Sequence, residues 1–595
     1  MAARRRGAVH SGQLVLAELA AVALVLAALS RSPAGWLLGI PVAAGLAVLG
    51  FGRWRGRWLF AWVDTVARYL SHPHGLAPGA GAGDLLTLIQ PGTHVHGDGL
   101  IESESGLVAL LELADPGTLL TDTPLVLPSP GALLPPERPD SSAIQVQLLV
   151  SGAPAPALRA AAGIPAASYR QLSAGRSAAD LRAFLAVRVL REDGRSTAEL
   201  VRCLAGSLRK LQRRLAQEQI AHRPLGSAAI RSVLGELAHH DPGAPVRETW
   251  LGLSIGGLRQ TCVRIGRFPA LRPELAGQLV VRLLTLPATA TTVSVAAVHT
   301  GVEVVVRLAA PGATGLATAV QALRRQLGSV GLTVTRLDGQ QLTGLAVTLP
   351  LGLVGTPGPA GPVTGAHIEL FGAGLLLGRN RRDQPVTVRL VRPEPTRALL
   401  VGGVRAAELV LLRALALGIH VLIETGRPDA WEPFLRAVSL PSDAVALIPA
   451  GQPVTLPVAR PFAPQLVVLD AGPVSGDPPT GDAAWRGTLV LRDDLSTADL
   501  DTLARADLVI LQPLSHSEAA LAGTALGLGD GQEWLTRIGA DMVGVVNRRT
   551  VRFARLAATP LERHLIGAPD RATQPSRHPE RTADPGQTPE RVELT

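Results

Sequence analysis

Two apolar runs stand near the start of the chain. Residues 14–29 (LVLAELAAVALVLAAL) are apolar except at Glu18, residues 30–35 (SRSPAG) carry turn chemistry, and residues 36–52 (WLLGIPVAAGLAVLGFG) are apolar again. Each run is near the short limit for a spanning helix, roughly 17 residues against a hydrocarbon core of about 30 Å. The pattern predicts a transmembrane hairpin over 13–58, with a single re-entrant or interfacial segment as the alternative. A secretory leader also begins basic and apolar, but here a second run follows at once and neither ends in a small-residue cleavage site.

Beyond a Pro/Gly-rich connector at 71–84 the periodicity changes. LLTLIQPG, HVHGDGLIESESG and LVALLELAD, over 85–115, read as short strands with turns, and a further strand is expected at 143–150. RAFLAVRVL (182–190) alternates as a strand. Ser196, with Glu199 three residues on, opens a helix as a capping box. A second helix at 227–237, an antiparallel pair from RETWLGLSI and QTCVRIGRF, a helix at 272–284, a hairpin turning at His299 to Gly301, a helix at 314–327 and a strand GLTVTRL follow. Helices alternating with antiparallel strands predict an α+β domain over 85–350. After a Pro/Gly linker at 351–365, strands at HIELFG, LLLGRN and PVTVRLVRP lead into RALLVGGVRAAELVLLRALALGIHVLIETG, a β-α-β unit. AVALIPA, QLVVLDAG, GTLVLRDD and ADLVILQP supply more candidate parallel strands, so 366–567 is expected to be an α/β domain. Residues 568–595, rich in Pro, Arg, Asp, Glu and Thr, read as a disordered tail.

Charge sets the direction of the hairpin. Arg4, Arg5 and Arg6 precede it and Arg53, Arg55 and Arg57 follow it, whereas the turn holds only Arg31, so both ends are expected on the cytoplasmic side of a cell membrane. The basic segment 1–12 would then be cytosolic, as would everything after the juxtamembrane stretch 59–84. Trp54, Trp58 and Trp62 stand where an interfacial aromatic belt would be. Glu18 is a costly carboxylate in hydrocarbon unless it faces a partner helix, a polar pathway or the headgroups. Gly35 and Gly39 have the Gly-xxx-Gly spacing that lets helices approach closely.

The formal net charge of +9 over 595 residues is arginine charge, since Lys210 is the single lysine. Aromatic residues make up 3%, with no dense basic run between them, which argues against nucleic acid as a partner and for anionic lipid beside the exit arginines. Cys203 and Cys262 have no disulfide or zinc spacing. His94 and His96 would share a strand face, but no third ligand stands near them in sequence, so no metal is expected. His222, His239, His240 and Asp241 fall at helix ends and read as caps.

The basic start, the hairpin, the RWRGRW exit (53–58), SYRQLSAGRSAADLRAFLAVRVL (168–190), HRPLGSAAIRSVLGEL (222–237), VRETWLGLSI (246–255) and GLTVTRLDGQQL (331–342) together resemble EccE, a membrane component of the type VII (ESX) secretion machinery of actinobacteria. The likeness spans about residues 10–350 and is one of architecture rather than of a catalytic motif. It implies a non-enzymatic subunit, without cofactors, that assembles in the bilayer with EccB, EccD and the ATPase EccC and touches secreted substrates only indirectly.

The α/β domain resembles the RecA-like ATPase domains of the motor subunits in the same systems, in degenerate form. A phosphate loop needs glycines that bare backbone amides, a Lys for the phosphates and a Ser or Thr for magnesium. Here Gly402 and Gly403 supply the turn, Arg405 replaces the expected chemistry, and Glu408 would repel a phosphate. At the Walker B position (LVVLD) Asp470 could hold magnesium, but Ala471 follows where a catalytic carboxylate belongs. The Gly372-x-Gly374 and 527–531 (GLGDG) stretches read as turns, and the adjacent Ser515 and His516 do not form a catalytic pair. Two further function classes stay open at this point: a membrane-tethered NTPase or Rossmann-type enzyme, and a scaffold unrelated to secretion.

Overall fold

The computed structural model describes residues 11–571 apart from 31, 55–56, 115–117, 138–141, 161–162, 176, 269–270, 360, 439–443, 473–480, 548–549 and 570. The basic N-terminal residues Arg4 to Arg6, the loop residue Arg31, the exit residue Arg55 and the tail beyond 571 lie outside the described residues.

Helices α1 (Ser11–Leu29) and α2 (Pro33–Phe51) fold back on each other through a turn in which Ser32 caps α2, its hydroxyl accepting from the Gly35 amide at 3.1 Å. Of the two, α2 is long and apolar enough to cross a membrane, whereas the apolar part of α1, Gln13–Leu29, is shorter. Both display bare apolar side chains, among them Leu26, Leu29, Leu37 and Leu38. A two-residue ladder pairs Arg53 with Trp58 and Trp54 with Arg57, and then α3 (Leu59–Ser71) begins.

Among the described residues the first large sheet has thirteen strands. Its central path runs Leu258–Gly266, Gly301–Ala310, Ala290–Val298, Ile144–Pro154, Ala178–Leu190 and Gly106–Leu113, each antiparallel to the next. An antiparallel strand exposed on one face would alternate, yet Gly106–Leu113 is buried at every position. The reason is a helix layer on each side. Leu107, Ala109 and Leu111 pack with Leu200, Leu204 and Leu211 of helix Thr197–Gln217. Val108 and Leu110 pack with α4 (Ala82–Ile89), helix Ser227–Ala238 and helix Gln341–Val347. The capping box at Ser196 and Glu199 forms as expected.

Three local expectations are corrected. LLTLIQPG opens within a helix, α4, rather than forming a strand, because the Asp84 carboxylate accepts from the Gly81 amide at 2.7 Å at its start and Leu85, Leu86, Leu88 and Ile89 then fall on a buried helical face. RETWLGLSI is itself a hairpin, Val246–Thr249 against Gly252–Ile255, turning at Trp250 and Leu251, and its second strand makes the expected antiparallel pair with Leu258–Gly266. The connector at 71–84 is part of the sheet: Gly75–Leu76 pairs with Val246 and Arg247.

The second sheet has eleven strands, of which Val445–Pro449, His420–Thr425, Gln465–Asp470, Arg486–Arg492, Thr396–Val401 and Leu508–Leu511 run parallel in that spatial order. Met542–Asn547, Thr550–Arg555, Leu375–Arg379 and Pro385–Val388 extend it antiparallel.

The chain crosses between the two sheets in both directions. His367–Leu370 pairs with Leu125–Pro128, and Ile368, Leu370 and Ala373 enter the first core. Conversely Leu120–Thr121 pairs with Pro385–Val388. Helix Ile164–Ser173 inserts Tyr169 and Leu172 into the second core, where the Tyr169 hydroxyl accepts from the Leu376 amide at 3.0 Å and donates to the Gly374 carbonyl. The same core holds a fully buried ion pair, Arg413 with Glu562 at 2.9 Å, whose guanidinium also donates to the Leu376, Leu377 and Ala557 carbonyls. A charge so enclosed persists only when every donor is met.

Candidate functional site

In an open parallel sheet a ligand sits beyond the carboxyl ends of the strands, where successive connections leave in opposite directions. Here that crevice lies beside Thr396–Val401, the strand that ends at Gly402 and Gly403 and leads into helix Val404–Ala416. The expected strand, glycine turn and helix are all present. The amides, however, are already engaged. The Gly403 amide donates to Gln512 Oε1 at 3.1 Å, and a Cβ on Gly402 would meet Gln512 Cδ at 2.9 Å. Gln512 is fully buried, and its amide nitrogen donates to the Pro569 carbonyl. Arg405 is exposed, and one turn on Glu408 is buried. Burial pushes the Glu408 carboxyl up to about 7, against the pull of Arg405.

Asp470 ends the strand Gln465–Asp470, one strand removed from the glycine turn. Both its oxygens are committed to protein donors. Thr425 Oγ1 donates at 2.9 Å and Trp431 Nε1 at 2.8 Å to Oδ2, and Arg427 Nη2 donates at 2.8 Å to Oδ1. Arg427 in turn reaches Asp493. A magnesium ion at Asp470 would have to displace a guanidinium.

The start of the stretch expected to be disordered closes the same edge. Arg571 donates to the Asp493 carbonyl and the Pro513 carbonyl at 2.9 Å, to Asp494 at 2.6 Å and to Glu518. Burial alone would raise the Glu518 carboxyl; hydrogen bonds from Arg571 and from the Leu495 and Ser515 amides bring it down to about 2. Ser515 caps helix His516–Leu526, which accounts for the Ser-His pair.

At the membrane end, Gly39 lies against α1, where a Cβ would press into Ala27 and come within 3.2 Å of the Ala23 carbonyl. Gly35 instead faces Ser30 and Ser32 in the turn. Glu18 is exposed on α1. Arg53 lies over the Trp58 ring at 3.7 Å, and Trp54 meets Trp62 with centroids 5.3 Å apart. The third belt tryptophan has a partner absent from the sequence pattern: Trp62 stacks on Trp250, at 6.3 Å, in the tight turn of the first sheet. Tyr69 meets the edge of the same ring, and Gln340 Nε2 donates to Thr65 Oγ1 at 3.3 Å. Helix α3 is therefore clamped onto the first sheet.

Among the described residues His94 and His96 do not belong to a group of three ligands; His96 pairs with Glu102 at 2.7 Å. Where α3 ends, His72, His74 and Glu248 bring one ligand atom each within 4.8 Å of the others, the one such group among the described residues. A Pro/Gly-rich stretch masked it in the sequence. Also unforeseen is a cavity of about 80 Å³ between the two sheets, lined by Asp180, Arg182, Glu236, His239, Phe462 and Trp485. Burial, helped by Arg307, drives the His239 imidazole down to about 3, so it is neutral there.

An apolar helical pair, an exit helix clamped onto the first sheet, and a glycine turn and Asp470 whose polar groups are met by protein partners are the features that this architecture offers for function. Residues 180–265 match the family model described as "Putative type VII ESX secretion system translocon, EccE". No curated protein matches the chain. Among solved structures, the genome packaging NTPase B204 of Sulfolobus turreted icosahedral virus 2 in complex with AMP is similar at 9% identity over 28% of this chain and 98% of that one, with a TM-score of 0.21. Its complexes with AMPPCP and ATP-gammaS are similar at 10% identity and the same score. At that score the likeness supports no argument about this chain.

Proposed function

We propose that this protein is a structural subunit of a type VII secretion membrane complex, held in the bilayer by the α1–α2 hairpin with both sheets on the cytoplasmic side. The family match supports the place in secretion. The bare apolar surface of both helices and the Arg53, Trp54 and Trp58 exit support the anchor. The observation that carries the non-enzymatic reading is the Gly403 amide bonded to Gln512, together with Asp470 spent on Thr425, Arg427 and Trp431. In this reading the α/β sheet is a degenerate RecA-like fold that serves as a docking surface for the other membrane subunits, EccB, EccD and the ATPase EccC.

The test is extraction of the tagged full chain in mild detergent, followed by a native gel and mass spectrometry. Co-migration with an ESX-type ATPase in a very large assembly is expected, and migration alone or as a small homo-oligomer would overturn the assignment. Calorimetry on the same preparation addresses the chemistry. No magnesium-dependent ATP binding is expected, and tight binding would make the protein an NTPase instead.

A further inference from the structure

We propose that His72, His74 and Glu248 form a zinc site that fastens the helix leaving the hairpin to the edge of the first sheet. Backbone pairing builds the site. His72 is the residue that closes α3, three residues later the chain enters the edge strand Gly75–Leu76, and the Glu248 amide donates to the His74 carbonyl at 2.6 Å. These bonds set Glu248 across from His74, with His72 two residues back along the chain at the end of α3.

Each ligand is oriented by a second contact, as metal ligands usually are. His72 Nδ1 lies 2.6 Å from the Pro73 carbonyl, which makes that nitrogen the protonated one and leaves the Nε2 lone pair for a ligand. The His74 ring is held flat against Tyr69, with centroids 4.2 Å apart and planes 24° from parallel. Glu248 Oε1 accepts from the Leu342 amide at 2.8 Å, which turns Oε2 toward His74 Nδ1 at 3.5 Å. His74 Nδ1 is buried yet has no hydrogen-bond partner. Ligands about 2.0 to 2.1 Å from a tetrahedral ion stand roughly 3.4 Å apart, so the His74 and Glu248 atoms, at 3.5 Å, already have the spacing, and the three ligand atoms all lie within 4.8 Å of one another. Two imidazoles and one carboxylate select zinc over magnesium or calcium, which demand more oxygen ligands, and leave one position open to water.

The proposal is independent of the secretion reading and of any nucleotide chemistry. The experiment uses the full chain in detergent with its affinity tag removed, stripped with chelator and titrated with zinc chloride, with metal content read by mass spectrometry. One equivalent is expected for the wild type, with affinity reduced at least tenfold in His72→Ala and in Glu248→Gln, whose amide oxygen still serves the Leu342 amide. His94→Ala and His96→Ala are expected to bind as the wild type does. Zinc should also slow amide exchange across 59–71 in the wild type and not in His72→Ala. Absence of stoichiometric zinc in the wild type, or equal binding by His72→Ala with the loss falling on His94→Ala, would overturn the site.

Discussion

His239 ends helix Ser227–Ala238 in the left-handed region, at φ 58°, and faces the cavity between the sheets. Buried and neutral, it binds a proton far less readily in the native chain, at about 3, than the ordinary imidazole of an unfolded one. The unfolded state therefore takes up more protons across the interval from about 6.5 down to 3, and native stability falls as the pH drops through it. Asn tolerates the left-handed cap and does not titrate. His239→Asn should accordingly show a smaller fall in Tm between pH 7 and pH 5 than the wild type, read by thermal denaturation in detergent. At this scale the sequence was informative about residue type and silent about partners. Asp470 stands at the strand end where its motif placed it, but the donors that consume it, Thr425, Arg427 and Trp431, follow another strand some 40 residues earlier, and no local pattern announces them.

Among the elements, the hairpin makes the sharpest prediction. Gly39 sits where α1 comes close, whereas a Cβ on Gly45 would meet nothing within 4 Å. Gly39→Leu should force the helices apart and lower the melting temperature of the detergent-solubilised chain by several degrees. Gly45→Leu should leave it unchanged, and equal effects would remove the packing argument. Strand and helix were legible where the period ran long, as in Ala290–Val298 with Gly301–Ala310 and in Ala313–Gly328. Short apolar runs misled because Leu85, Leu86, Leu88 and Ile89 in α4 satisfy either period, and the Asp84 carboxylate bonded to the Gly81 amide decides between them. Trp250 was hidden for a related reason: a tight turn inside an apolar stretch reads as one continuous strand.

The largest scale brings out what neither motif nor periodicity can encode, the exchange of segments between the two sheets. Cutting at 366 would take Leu119, Tyr169 and Leu172 out of the second core and Ile368 and Leu370 out of the first. An isolated 366–567 fragment is expected to expose that apolar surface, bind a hydrophobic dye and lack a cooperative melt, while co-expression with 59–365 restores it. A fragment that melts cooperatively by itself would show the exchange to be dispensable. The same exchange constrains how the molecule comes into being. Ser168 finds its partner Thr559 only after 391 further residues have been made, an interval of about 20 to 80 s at ordinary elongation rates. The Tyr169 hydroxyl finds Gly374 and Leu376 about halfway through that interval, so the helix Ile164–Ser173 gathers its contacts in stages, from segments far apart along the chain.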